Sequence, residues 1–231
     1  MSFADQALAG FLAWTGDPRA EARRAAQASP GNAMAHVLEA QLHLCSRDPA
    51  GIPVARQALA RAQRLPLDAA ARLHVAAIGA SLAGDWDRAR ELLGCILAQD
   101  PRDLLALSVA HTADHYVGDT ASLWRRVQAA LPAWSRDDPH YAGVLAMLAF
   151  GLEENGEYAR AEHAALEALA LEPRNLRAHH ARAHVLEMQG RDAEGIRWMA
   201  ERSAHWTLEG ASSTHLWWHL ALFQAELGRT G

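Results

Sequence analysis

The stretch Ala142–Asn175 reads AGVLAMLAFGLEENGEYARAEHAALEALALEPRN and is 34 residues long. Leu145, Leu148, Ala149 and Leu152 recur at helical spacing, and Gly156 follows in a short polar turn. Beyond the turn, Tyr158, Ala161, Ala168 and Leu169 mark a second helical stripe. Pro173 ends it, because proline has no amide N–H and its ring clashes with the preceding turn. The segment predicts two antiparallel helices joined by a glycine turn.

Working outward, Gly84, Gly118, Gly156 and Gly190 are separated by 34, 38 and 34 residues, and each precedes a short turn into another helix. Residues 71–101 form a second good copy, with Leu73, Ala77, Trp86, Ala89, Ile96, Leu97 and a terminating Pro101. The expected repeats are 71–103, 104–141, 142–175 and 176–211, with the four extra residues of the second falling in LPAWSRDDPH (Leu131–His140). Residues 3–65 read as weaker helical pairs, and 212–228 as an apolar terminal helix without a partner helix. No strand-period alternation persists. A helix–turn–helix of this length and punctuation resembles the tetratricopeptide repeat, which implies an all-α, right-handed solenoid of TPR-like repeats over a single domain, 1–231.

The second half resembles one branch of that superfamily, the tetratricopeptide repeat protein 38-like family. The likeness is carried by LLALSVAHTADHYVGD (Leu104–Asp119), by Leu131–Glu162, by HHARAHVLEMQGRDAEGIRWM (His179–Met199) and by HLWWHLALF (His215–Phe223). The chain departs from the family pattern at Asn175-Leu176-Arg177, at His115 and at Leu216. The resemblance implies architecture and carries no settled activity.

Composition bounds the chemistry. The net charge is −5 and all 22 basic residues are arginine. A general nucleic-acid binder would need a basic stripe. The absence of lysine removes lysine Schiff bases, hence pyridoxal phosphate, and the P-loop. Gly-x-Gly is missing too, so no nucleotide cofactor is expected. Cys45 and Cys95 are read as buried helix cysteines. Mean hydropathy is −0.15, no run nears the ~20 apolar residues of a membrane span, and no signal peptide is evident at the N-terminus. The expectation is a cytoplasmic protein.

Thirteen histidines are the one excess. Counting back from Gly190 as position 15 of its repeat puts His180, His184 and Glu187 at 5, 9 and 12, positions that line the concave face in this repeat class. The same count puts Phe150 and Glu153 at 9 and 12 of the preceding repeat, His215 and Trp218 at 2 and 5 of the last, and His74 at 5 of an early one. Inner helices stack about 9–10 Å apart, so these side chains are expected to converge in one groove. His-x-x-x-His occurs at His111/His115, His180/His184 and His215/His219. Such a pair can clamp a divalent ion, and His180, His184, Glu187 and His215 form a candidate N3O set for Zn, Fe or Ni rather than Mg. Without a metal, His180, His184, Glu187 and Glu153 are candidate acid–base groups. The ligand-binding candidates are Phe150, Glu153, His180, His184, Glu187, His215, Trp218 and His219, with His111 and Asp114 beneath the groove. Trp217 is expected in the core, and Trp198 and Trp206 in outer-helix packing. His36, His43, His140, His163 and His205 are expected at the surface or half-buried.

Two functions follow. The first is a groove that binds a small polar ligand or peptide. The alternative is a metal-dependent or His/Glu acid–base enzyme acting on a small molecule there. The apolar terminal helix predicts self-association as a homodimer. Neither nucleic acid nor membrane is an expected partner.

Overall fold

The structure, a computed structural model, describes residues 1–206 and 211–228. Its helices are α1 (Phe3–Ala13), α2 (Pro18–Ala28), α3 (Ala33–Cys45), α4 (Gly51–Ala62), α5 (Ala69–Ala83), α6 (Trp86–Gln99) and α7 (Leu104–Val117). They continue as α8 (Thr120–Ala130), α9 (Tyr141–Glu153), α10 (Tyr158–Leu171), α11 (Leu176–Met188), α12 (Asp192–Arg202) and α13 (Ala211–Glu226). Short 3-10 turns occupy Leu131–Ala133 and Ser203–His205, and no strand occurs among the described residues. None of the described helices is long and apolar enough to cross a membrane.

The chain divides into two compact units, one of Met1–Phe11 and Asp17–Trp134, the other of Leu12–Gly16 and Ser135–Gly231. In the first unit α3 packs on α4, α5 on α6 and α7 on α8 as successive hairpins. In the second, α9 pairs with α10 and α11 with α12, while α11 also packs against both α9 and α13.

The repeat is written in its turns. Gly84, Gly118, Gly156 and Gly190 all have positive φ, from 63° to 80°, where a Cβ would crowd the backbone. At each turn the glycine amide donates to the carbonyl three residues back, and the next amide to the carbonyl five back: Asp85 to Ala80, Asp119 to Asp114, Glu157 to Leu152 and Arg191 to Leu186. This pair of bonds satisfies carbonyls that the helix end would leave orphaned. Arg47 also makes the first of these bonds, to Leu44, at φ 55°. The pair α3/α4 is therefore a repeat in the same register, with arginine in the glycine's place.

The second helices stop where the prolines require. Just before Pro101 and Pro173 the amides of Asp100 and Glu172 close the last turns onto Ile96 and Ala168. Asp103 and Asn175 then cap the next helices with their side chains, accepting from the Ala106 and Ala178 amides. A shared latch holds two of these junctions. His36 Nε2 lies 3.0 Å from the Pro30 carbonyl and His179 Nε2 2.9 Å from the Pro173 carbonyl, six residues apart in each case. Both histidines are buried, as is His43, so the expectation of surface or half-buried positions for His36 and His43 fails. They sit on inner helices that neighbours cover.

Every residue of α9 from Ala142 to Glu153 is buried. Its apolar side chains run all the way round, which marks a helix packed on several sides. Two other expectations are corrected. Cys95 is exposed and Cys45 half-buried, and neither forms a disulfide. Trp217 is 38% exposed and meets Trp206 edge-on, while Leu216, Leu220 and Phe223 of α13 take the core. Trp198 and Trp206 are buried, as expected of packing residues.

Candidate metal centre

Three inner helices of the second unit supply the site. α11 places His180 and His184 one turn apart on a single face, α13 does the same with His215 and His219, and α9 contributes Phe150 and Glu153. His215 Nε2 lies 2.9 Å from His180 Nε2 and 3.2 Å from His219 Nε2. One ring nitrogen from each of His180, His184, His215 and His219 completes a set of donor atoms all within 4.8 Å of one another. Two ligands of a tetrahedral zinc, each ~2.0–2.1 Å from the ion, stand about 3.3–3.4 Å apart, so the spacing suits one small ion.

Carboxylates hold the outer edges of two of these rings. His219 Nδ1 donates to Glu187 Oε2 at 2.8 Å. His184 Nδ1 is 3.2 Å from Glu153 Oε2, an ion-pair distance without good hydrogen-bond angles. Glu153 is almost entirely buried. Glu153, Glu154 and His184 form a smaller donor group beside the first. Aromatic rings wall the cluster: Trp14 lies 5.1 Å and Phe150 5.6 Å from the His180 ring, and Trp218 5.9 Å from that of His215. Trp14 has positive φ, 59°, and the Arg177 guanidinium lies over its ring.

Burial, followed by the neighbouring charge of His184, holds His180 well below the ordinary imidazole range and pushes His219 down to about 4. His215 is lowered for the same reasons. For His184 burial also acts downward, but the carboxylate of Glu153, with Glu187 and Glu154 behind it, lifts it above its usual value. The site therefore disfavours the charged form of His180, His215 and His219 and favours it at His184. With His219 Nδ1 giving its proton to Glu187, its Nε2 presents a lone pair. No neutral tautomer of His180 and His215 then satisfies both short N···N contacts.

The expected residues sort as follows. His180, His184, His215, Phe150 and Glu153 come together as the register predicts. Glu187 lies behind His219 rather than beside the other donors, so the N3O set becomes four imidazoles with His219 as the fourth. Trp218 is 57% exposed, with its ring edge-on to that of His215. Counting back from Gly228 slips the last helix by one residue, and His219 takes the inward place. His111, Asp114 and His74 belong to the first unit. Asp114 is wholly buried and accepts from Arg90 and Arg126, at 2.6 Å and 2.8 Å. His74 is bonded to Asp103 at 2.9 Å. Trp14 was invisible to the sequence reading, because nothing near residue 14 marks it as a neighbour of residue 180.

Tetratricopeptide-repeat structures resemble this chain. It matches the APC/C hetero-tetramer Cut9–Hcn1 with a TM-score of 0.58 and 20% identity, over 89% of this chain and 39% of that one. It matches MamA of AMB-1 with a TM-score of 0.47 and 22% identity, over 73% of this chain and 98% of that one. A variant of MamA gives the same score over 75% and 99%. No protein-family model matches. At 20% identity the likeness to Cut9–Hcn1 establishes the fold alone: with its helices, this is an all-α protein of TPR-like helical repeats.

Proposed function

We propose that this helical-repeat protein binds a divalent transition-metal ion, Zn²⁺, Fe²⁺ or Ni²⁺, through His180, His184, His215 and His219, and that a small polar ligand reaches the ion from the side where His184 and His215 remain partly exposed. The observation that carries the reading is the inward meeting of three Nε2 atoms, with a carboxylate set on the opposite nitrogen of His219. A carboxylate behind a ligating histidine fixes the tautomer that points a lone pair at the metal and raises its basicity. Imidazole donors suit Zn, Fe and Ni. Four neutral ligands leave the dipositive charge intact, and the carboxylates of Glu187 and Glu153 offset it from outside. A ligating imidazole must be deprotonated, and Glu153 favours the protonated form of His184, so affinity rises with pH.

The likeness to the tetratricopeptide repeat protein 38-like family belongs to this proposal and brings no ligand with it. Self-association through α13 belongs to it as well, supported by the exposure of Trp217 and Trp218 on one short stretch. Elemental analysis of protein purified without a histidine tag is the test of the metal. The expected result is one equivalent of metal that disappears in the His180→Ala/His184→Ala variant. A metal-free protein whose melting temperature ignores added Zn²⁺, Fe²⁺ and Ni²⁺ would end the reading.

A further inference from the structure

The first unit carries a cavity of its own, of about 380 Å³, within the ~300–1,000 Å³ range of small-molecule sites. It opens where the C-terminal ends of α3, α5 and α7 meet the starts of α4 and α6. Arg47 and Arg56 both line it, and neither has a carboxylate partner among the described residues. Asp48, on the same wall, is committed elsewhere, accepting from Arg19 at 3.3 Å and from the Ala50 amide at 3.0 Å.

Arg47 is held in place at a cost. It occupies the turn position that glycine fills in four later repeats, with φ 55°, a left-handed conformation in which the Cβ of an L-residue crowds the backbone. Its guanidinium sits 4.1 Å over the ring of Tyr116, whose hydroxyl in turn donates to the Cys45 carbonyl. The cation is therefore positioned by a fixed ring. Strain of this kind persists where a local arrangement is worth keeping. The remaining walls are apolar and open: Trp86, the first residue of α6, is 37% exposed and Ile52 42%. His43 adds an unmet polar group, since it is 6% exposed and neither ring nitrogen has a hydrogen-bond partner.

We infer that this cavity binds a small organic anion with an aromatic body, its carboxylate or phosphate held by Arg47 and Arg56 and its ring laid against Trp86 and Ile52. Guanidinium groups match the planar, multidentate geometry of oxyanions. An indole at the mouth supplies the apolar face that a free inorganic ion would not use.

The test is calorimetric titration of the full chain, stripped of metal by chelation, with phenyl phosphate, phenylacetate, benzyl alcohol and inorganic phosphate. One equivalent of an aromatic anion is expected to bind. Benzyl alcohol and inorganic phosphate should bind about tenfold more weakly or worse, and Arg56→Gln and Arg47→Gly should each lower affinity about tenfold. Arg47→Gly is the decisive variant, because it removes backbone strain: it should bind less while melting no lower than the parent. The inference is overturned if neither aromatic anion gives a saturable isotherm, if inorganic phosphate matches phenyl phosphate, or if Arg47→Gly binds unchanged.

Discussion

At the scale of single residues, three side chains make sharp demands. Replacing Arg47 by glycine should raise unfolding free energy by about 1 kcal/mol in urea melts, the left-handed strain relieved less the entropy glycine adds to the unfolded chain. Glu187→Gln keeps the shape behind His219 but weakens the acceptor. Metal affinity, measured by competition with a chromophoric chelator, should fall about 10–100-fold. His179 governs a pH response. Burial pushes it down to about 4 from an ordinary 6.5, so the unfolded chain takes up the proton first. The stability it contributes is whole above pH 6.5 and is lost as pH falls toward 4, by ~3 kcal/mol. In metal-free protein, the fall in melting temperature over that interval should shrink in His179→Gln without vanishing, since His219 shares the shift. Residues whose role follows from backbone demand were legible: the four turn glycines announce themselves. Arg47 was not, because an arginine in a glycine's place carries no mark. The partnership of His36 and His179 with prolines six residues upstream was equally hidden, each histidine reading as one more polar residue on a helix.

At the scale of elements, α13 is seated by one close approach. A Cβ on Gly195 would stand 2.8 Å from the Phe223 ring, and rings of that size cannot withdraw from a packed core without strain. Gly195→Ala should cost about 1–3 kcal/mol and, by shifting His215 and His219, lower metal stoichiometry as well. Hairpins and their turns were legible because each is fixed by local chemistry: a left-handed glycine, an acidic cap, a proline stop. The facing of α13 was not. Trp217 and Trp218 dominate its composition, yet the stripe that packs is Leu216, Leu220 and Phe223 with His219 among them. The His-x-x-x-His spacing was the sounder guide, since two residues four apart must share a face whatever the phase of the repeat.

At the scale of the whole molecule, the two compact units and the confinement of the imidazole cluster to the second yield a spatially resolved prediction. A ligand that binds only the native state stabilises it by RT ln(1 + [L]/Kd), about 2.7 kcal/mol at a hundredfold excess over Kd. Hydrogen exchange with and without Zn²⁺ should show slowed amides in α9, α11 and α13, with α3 to α6 unchanged. Uniform slowing across both units would contradict the assignment of the ion to this cluster. The meeting of helices 35 residues apart, His180 with His215, was legible from the repeat period. The division into units was not, because the extra residues within Leu131–His140 read as a lengthened loop inside one continuous series of repeats.

Residues Leu12–Gly16 belong to the second unit although more than a hundred residues separate them from the rest of it. Leu12 fills the notch left by Gly143, and Trp14 roofs His180. Dissecting the protein at the obvious seam would therefore amputate part of the site: a fragment beginning at Ser135 would leave one imidazole unroofed and a slot in α9 empty. A synthetic peptide bearing the N-terminal tryptophan, added in trans, becomes the reagent by which that fragment could be made whole.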